Sequence, residues 1–250
     1  LSGALILSVG GILAKIFSAI YIIGLTRILG GEGIGLYQLI FPLYSLCVVV
    51  TTAGLPIAIS KVISRYKDCQ SNIIKKCLRT TMLISLCIGL ILAGFSKPLA
   101  NLQGANDIWI CYLILAPTIM IISATSVLRG YFQGLGYFAP STASNVSEQF
   151  VKLVVGLVAS LVLIKVSLIM AIIGAVVSIV VSEIISLLIL VLYLKKKPLK
   201  NNVTDCEISR TQIFKDVLPI TLTNVILPIS SFIDSVLVVN LIAINFSKQM

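Results

Sequence analysis

Residues 167–194 read SLIMAIIGAVVSIVVSEIISLLILVLYL. A single carboxylate, Glu183, interrupts a run that is otherwise apolar or small. At 1.5 Å of rise per residue such a run is long enough to cross the roughly 30 Å hydrocarbon core of a bilayer. It stops on Lys195, Lys196 and Lys197, a basic margin of the kind found at a membrane face. The two-residue alternation of a barrel strand is missing, so a helix that satisfies its own backbone is the structure expected in lipid.

Working outward, the same pattern recurs at about 3–25 (broken by Lys15), 36–59, 80–95, 108–128, 141–164 (holding Glu148 and Lys152) and 217–244 (holding Asp234). The expectation is an all-α integral membrane protein of about seven transmembrane helices. The third run is short and is expected to borrow a turn from its flanks. Prolines 42, 56, 117, 219 and 228 lie inside these runs. Membrane helices tolerate proline as a kink, and kinked helices curve around cavities, which leans towards a transporter.

Composition agrees. Of 250 residues, 58% are apolar and 11% charged, and the mean hydropathy is +1.10. A soluble domain carries about 25% charged residues, too many polar side chains for this chain to match. The net charge of +10 is not spread as a nucleic-acid footprint, and no nucleic-acid partner is expected. The cations gather between alternate runs. Lys61, Arg65, Lys67, Lys75, Lys76 and Arg79 lie in the second loop, Arg129 in the fourth, and Lys195, Lys196, Lys197, Lys200, Arg210 and Lys215 in the sixth. Only Arg27, Lys97 and Lys165 fall on the other side. The positive-inside rule then places the even loops and the N-terminus in the cytoplasm. Residues 61–79 read as amphipathic helical extensions on that surface, with a turn near Asp68–Asn72. They either touch anionic lipid heads or simply set topology.

Histidine is absent, and the six cysteines, at 47, 69, 77, 87, 111 and 206, have no zinc-ligand spacing, so no metal or cofactor is expected. Cys47, Cys87 and Cys111 fall in apolar runs; Cys69, Cys77 and Cys206 fall in basic loops assigned to the cytosol, where no disulfide is expected. Two glycine-rich stretches, Gly30–Gly35 (GGEGIG) and Arg129–Pro140 (RGYFQGLGYFAP), lack the lysine, hydroxyl and preceding strand of a phosphate loop. The first reads as a tight external turn, the second as holding a weak G-x-G at Gly134 and Gly136. No acid, base and nucleophile cluster is visible, so an enzyme is not expected. The chain opens at Leu1 within an apolar run, with no charged leader ahead of it, and is expected to be a fragment of a longer protein.

The informative residues are the charges inside the runs, because an ionised group at mid-bilayer costs about 2.5–3.5 kcal/mol on insertion scales and so faces a cavity or a partner. Lys15 has no carboxylate on its own helix and is read as facing an aqueous cavity. Glu148 precedes Lys152 by four residues, the favourable order for an ion pair; Lys152 could equally pair with Glu183. Glu183 and Asp234 are candidates for ion coupling or for helix contacts. Arg27 is read either as a cavity cation or as a residue that snorkels to the interface.

Four stretches carry a family resemblance: ILAKIFSAIYIIGLTRILGGEGIGLYQLIFPLYSL (12–46), TTAGLPIAISKVIS (51–64), LRGYFQGLGYFAPSTASNVSEQF (128–150) and VLPITLTNVILPISSFIDS (217–235). Together they resemble the multidrug/oligosaccharidyl-lipid/polysaccharide exporter superfamily, and within it the polysaccharide-biosynthesis group that includes stage V sporulation protein B. The resemblance implies two six-helix lobes around a cavity that opens to alternate sides, a plan shared by many transporters. On that plan residues 1–200 are the first lobe, 201–216 a cytosolic linker, and 217–250 the first helix of the second lobe.

It further implies a flippase or exporter of a lipid-linked sugar in a bacterial cytoplasmic membrane, serving cell-wall or spore-cortex synthesis. The expected partners are the lipid-linked sugar, membrane lipids and cell-envelope synthesis proteins. Lys15, Lys152 and Arg27 would line its cavity. Flippases of the superfamily place arginines on the first helix where this chain has Ala14 and Ile20, with Lys15 beside one of them. A lysine attracts phosphate as a point charge, without the fork of arginine. Two alternatives remain: a cation-coupled drug or metabolite exporter of the same fold, worked by Glu148, Glu183 and Asp234, and a scaffold or inactive fragment that transports nothing.

Overall fold

The computed structural model describes residues 2–65, 70–196, 219 and 221–237. Helices α1 (Ser2–Thr52), α2 (Leu55–Arg65), α3 (Gln70–Gly94), α4 (Ser96–Leu102), α5 (Trp109–Gly134), α6 (Phe138–Leu163) and α7 (Leu168–Lys196) follow in order, with a single 3-10 turn at Asn106–Ile108. An eighth, α8, spans Thr221–Leu237. The expected turn at 66–69, Cys69, Cys206, the cations Lys67, Lys197, Lys200, Arg210 and Lys215, the linker at 201–216 and the end of the chain from 238 onward lie outside the described residues.

α1 is not one rod. Straight, its 51 residues would stretch ~76 Å, far beyond a bilayer. Gly30 breaks it with φ 69° and ψ −174°, a conformation that favours glycine. Beyond that break the chain doubles back. Tyr21 and Tyr37, which a continuous helix would hold ~24 Å apart, touch hydroxyl to hydroxyl at 3.1 Å. Five helical stretches among the described residues are long and apolar enough to cross a membrane, and the first of them, Leu5–Arg65, supplies two antiparallel passes. The protein is therefore a multi-pass, all-α membrane bundle. Pro42 and Pro117 sit inside α1 and α5, yet the interior backbone break in α1 falls at Gly30 rather than at proline.

Small residues set the helix spacings. The first arm of α1 runs parallel to α6, with Gly10 against Thr142, Phe17 on Phe150 and Gly24 against Leu157. α6 and α7 form an antiparallel hairpin in which Gly156 meets Ser178, and Ser160 Oγ donates to the Ala171 carbonyl at 3.1 Å. Around these pairs Tyr21, Leu25, Tyr37, Ile40, Tyr112 and Leu115 close the core. α8 lies antiparallel to the second arm of α1. Thr221 Oγ1 donates to the Ala53 carbonyl at 2.8 Å, and Ser235 meets the buried Gln103, whose Nε2 donates to the Leu39 carbonyl at 2.9 Å.

The glycines of the second glycine-rich stretch have a different pairing from the G-x-G reading. Gly130 and Gly134, four residues apart on α5, let α2 approach so closely that a Cβ at either would lie 2.8 Å from backbone atoms of Pro56 or Ser60. This is the small-xxx-small contact of membrane helices; Gly136, with φ 76°, merely turns the chain into α6. Gly130→Ala or Gly134→Ala is expected to cost about 1–3 kcal/mol by overpacking. Chemical or thermal unfolding of the detergent-solubilised protein would read this as a lowered midpoint, and an unchanged midpoint would show that the contact carries no strain.

The amphipathic segments also differ from their surface reading. Val62, Ile63, Ile73, Ile74 and Cys77 are buried against Val127, Tyr131, Phe132 and Leu190. Their apolar faces are turned into the protein, because the last turns of α5 and α7 extend far enough to cover them. Cys77 thus belongs to α3 and to this core, not to a loop.

Candidate functional site

Inside the bundle, four helices meet in a continuous polar layer. α6 presents Ser141, Ser144, Glu148 and Lys152 at intervals of three and four residues, a single helical stripe. α7 presents Glu183 and Ser186 on the facing side, and α5 contributes Arg129.

Arg129 is the hub. Its Nη2 donates to Glu148 Oε2 at 2.8 Å, to Ser186 Oγ at 2.9 Å and to Ser144 Oγ at 3.1 Å. Ser144 and Ser186 meet each other at 2.7 Å, and Ser141 donates to the Arg129 carbonyl at 3.2 Å. The second oxygen of Glu148 accepts from Gln149 Nε2 at 2.7 Å, and Gln149 Oε1 accepts from Ser18 Oγ at 2.7 Å. The chain of bonds thus runs from α7 through α5 and α6 to the first arm of α1. Glu183, only 7% exposed, lies on α7 one turn before Ser186. The buried Tyr44 hydroxyl has no hydrogen-bond partner among the described residues.

Lys152 stands next to this layer without joining it. Its Nζ sits 5.4 Å from the centroid of the Tyr21 ring, a cation–π arrangement, and among the described residues it makes no ion pair. Of the two pairings weighed for it, with Glu148 or with Glu183, neither forms. The carboxylate expected to neutralise Lys152 from one turn away is taken instead by Arg129, whose Nη2 reaches one Glu148 oxygen at 2.8 Å from the facing helix.

Lys15 is exposed and lies one turn before Ser18. The contacts Gly10–Thr142 and Ser18–Gln149 bracket it, so the parallel register of α1 and α6 puts it level with Glu148. Its stripe on α1 comprises Ser8, Gly11, Ala19 and Thr26, small or polar residues, with the exposed Ile12 and Ile22 one turn before and two turns after it. The exposed apolar stripe of Val9, Ile16, Ile20 and Ile23 is turned ~100° away from it. Arg27 is exposed three residues before Gly30, ~18 Å along the arm from Lys15, and takes no part in the layer. Asp234 is exposed on α8 and is not bonded into the layer, although its neighbour Ser235 reaches Gln103.

Arg129 is the residue that the sequence reading placed elsewhere, in the fourth loop. It falls immediately after an apolar run, where a basic residue normally marks the membrane face, but α5 continues to Gly134 and draws it inside. The available signal was the serine and carboxylate stripe on α6 and α7, which demands a buried donor opposite it.

The chain is thus a multi-pass helical membrane bundle with a charged, hydrogen-bonded layer enclosed among its helices. This chain belongs to the polysaccharide biosynthesis protein family, whose family model matches residues 1–246. It is 34% identical over 160 residues to stage V sporulation protein B of Bacillus subtilis (strain 168), a match taking in 61% of this chain and 31% of that one. With lipid II flippase MurJ of the same organism it shares 26% identity over 170 residues, 62% of this chain and 31% of that one. An inward-facing multidrug resistance MATE family transporter of the MOP superfamily has the same fold, at a TM-score of 0.67 and 19% identity, over 88% of this chain and 51% of that one. These matches take in about a third of the length of the curated relatives and half of the solved transporter.

Proposed function

We propose that this chain forms one lobe of a flippase that carries an anionic, lipid-linked sugar across a bacterial cytoplasmic membrane. The observation that carries this reading is the placement of Lys15 level with Glu148, with Lys152 next to the polar layer and in no ion pair among the described residues. Two cations that form no ion pair among the described residues, at membrane depth, suit a diphosphate head group. The lipid tail would remain in the bilayer while the head group crosses through water between lobes. The protein's part is binding and shape change, with no bond made or broken.

Cations at the Lys61, Arg65, Lys75 and Lys195 end of the bundle outnumber those at the Arg27, Lys97 and Lys165 end, which supports a cytoplasmic N-terminus. Partners in cell-envelope synthesis would supply and consume the substrate. Vesicles containing the full-length protein provide the test: a fluorescent lipid-linked sugar diphosphate should flip, and the same lipid without its phosphates should not. Equal flipping of both would refute an anionic substrate.

The buried carboxyl of Glu183, one turn from Ser186 on α7, favours a second reading, in which proton exchange at Glu148 and Glu183 drives the export of a cation. Under it, Glu183→Gln abolishes any dependence of transport on an imposed proton gradient. Under the flippase reading the same variant leaves binding of the diphosphate lipid within about threefold of the parent, because no contact of Lys15 or Lys152 is removed.

A further inference from the structure

Resting on the flippase reading, we propose that Arg129 is a positioning residue whose task is to hold Glu148 away from Lys152, so that the lysine stays available to an anionic ligand. The two residues share α6 in the order and at the spacing that favour a mutual ion pair. They do not form one. Arg129 takes one carboxylate oxygen at 2.8 Å, Gln149 takes the other at 2.7 Å, and the Ser144–Ser186 pair, 2.7 Å apart, fixes the guanidinium from below. Glu183 lies buried on α7, one turn before Ser186. Lys152, released from its helical neighbour, rests on the Tyr21 ring, and among the described residues its N–H donors make no hydrogen bond.

Arg129 would therefore act on ligand binding through Lys152 without touching the ligand. With Arg129 gone, Glu148 swings to the ammonium one turn along and neutralises it. The loss should resemble removal of the lysine itself.

The test is equilibrium binding of farnesyl pyrophosphate to the full-length protein in nanodiscs, with farnesol as the uncharged control. Lys152→Gln and Arg129→Gln should each weaken pyrophosphate binding by about tenfold, and together by no more than either alone, since both act through one ammonium. Adding Glu148→Gln to Arg129→Gln should return affinity to within about threefold of the parent, because the capturing carboxylate is removed and the net charge of the layer restored. Should Arg129→Gln fail to fold, Arg129→Lys, which keeps the charge but loses the fork, should give an intermediate loss that Glu148→Gln again reverses. A double variant no tighter than Arg129→Gln, or a fully additive Lys152→Gln, would overturn the positioning role. Unchanged affinity in Lys152→Gln would instead overturn the flippase reading on which it rests, whatever Arg129 does.

Discussion

Arg129→Leu should destabilise the folded protein by about 1–3 kcal/mol, less than the usual cost of breaking a fully buried ion pair from one side, because the Arg129 and Glu148 side chains keep 22% and 13% of their surface exposed. The size follows from what is stranded. Glu148 loses its partner inside the bundle, while Ser144 and Ser186 lose the donor around which they are arranged. Replacing both members of the pair, Arg129→Leu with Glu148→Leu, should recover most of the loss, since a well-packed apolar pair at such a site is often neutral or stabilising. Unfolding of the detergent-solubilised variants measures both. Equal destabilisation by the single and double variants would mean that packing, rather than the stranded charge, sets the cost.

The second large effect is on ligand binding. Lys15→Ala with Lys152→Ala is expected to remove two charge-assisted contacts to a diphosphate, each of about 1.5–3 kcal/mol. At roughly tenfold per 1.4 kcal/mol, affinity should fall at least a hundredfold and flipping of the labelled lipid should drop to the level of empty vesicles. Arg27→Ala, at the Gly30 end of the arm and outside the layer, should change affinity by less than about threefold, as expected of a site that shares no partner with the layer. Undiminished flipping in the double variant would remove both lysines from the carrier site.

Much of the architecture is written in elementary features of the chain. Apolar runs of bilayer length declare their helices, and Gly30 declares the hairpin because few other residues accept its backbone angles. The site was only half legible. Glu148, Lys152 and Glu183 stand out as charges in lipid, but which of them meet depends on helix rotation and on a fourth residue. Spacing along α6 favours Glu148–Lys152, and nothing local to that helix reveals that α5 will bring Arg129 to 2.8 Å from the same carboxylate.

Arg129 was obscured by position. Directly after an apolar run, a cation is usually a boundary, and only the extra turn of α5 makes it an interior residue. The Gly130–Gly134 pair was obscured by the nearby Gly136, since a G-x-G and a small-xxx-small pattern overlap in the same stretch. Tertiary contact with α2 decides between them. For the amphipathic segments after α2, period alone reports an apolar face without saying whether lipid or protein covers it.

Water access at Lys15 is the most direct measure of whether these lysines border a shared aqueous space. In the full-length protein with its native cysteines, six of which lie in this chain, replaced by serine, single cysteines at Lys15 and at Ile16 can be challenged with a membrane-impermeant charged thiol reagent. Both positions are exposed on the first arm of α1, one on the small and polar stripe and one on the apolar stripe. Lys15→Cys should react rapidly and be protected by farnesyl pyrophosphate, while Ile16→Cys, facing acyl chains, should stay unlabelled. A silent Lys15→Cys, or an Ile16→Cys that reacts as fast, would contradict the cavity and with it the carrier mechanism.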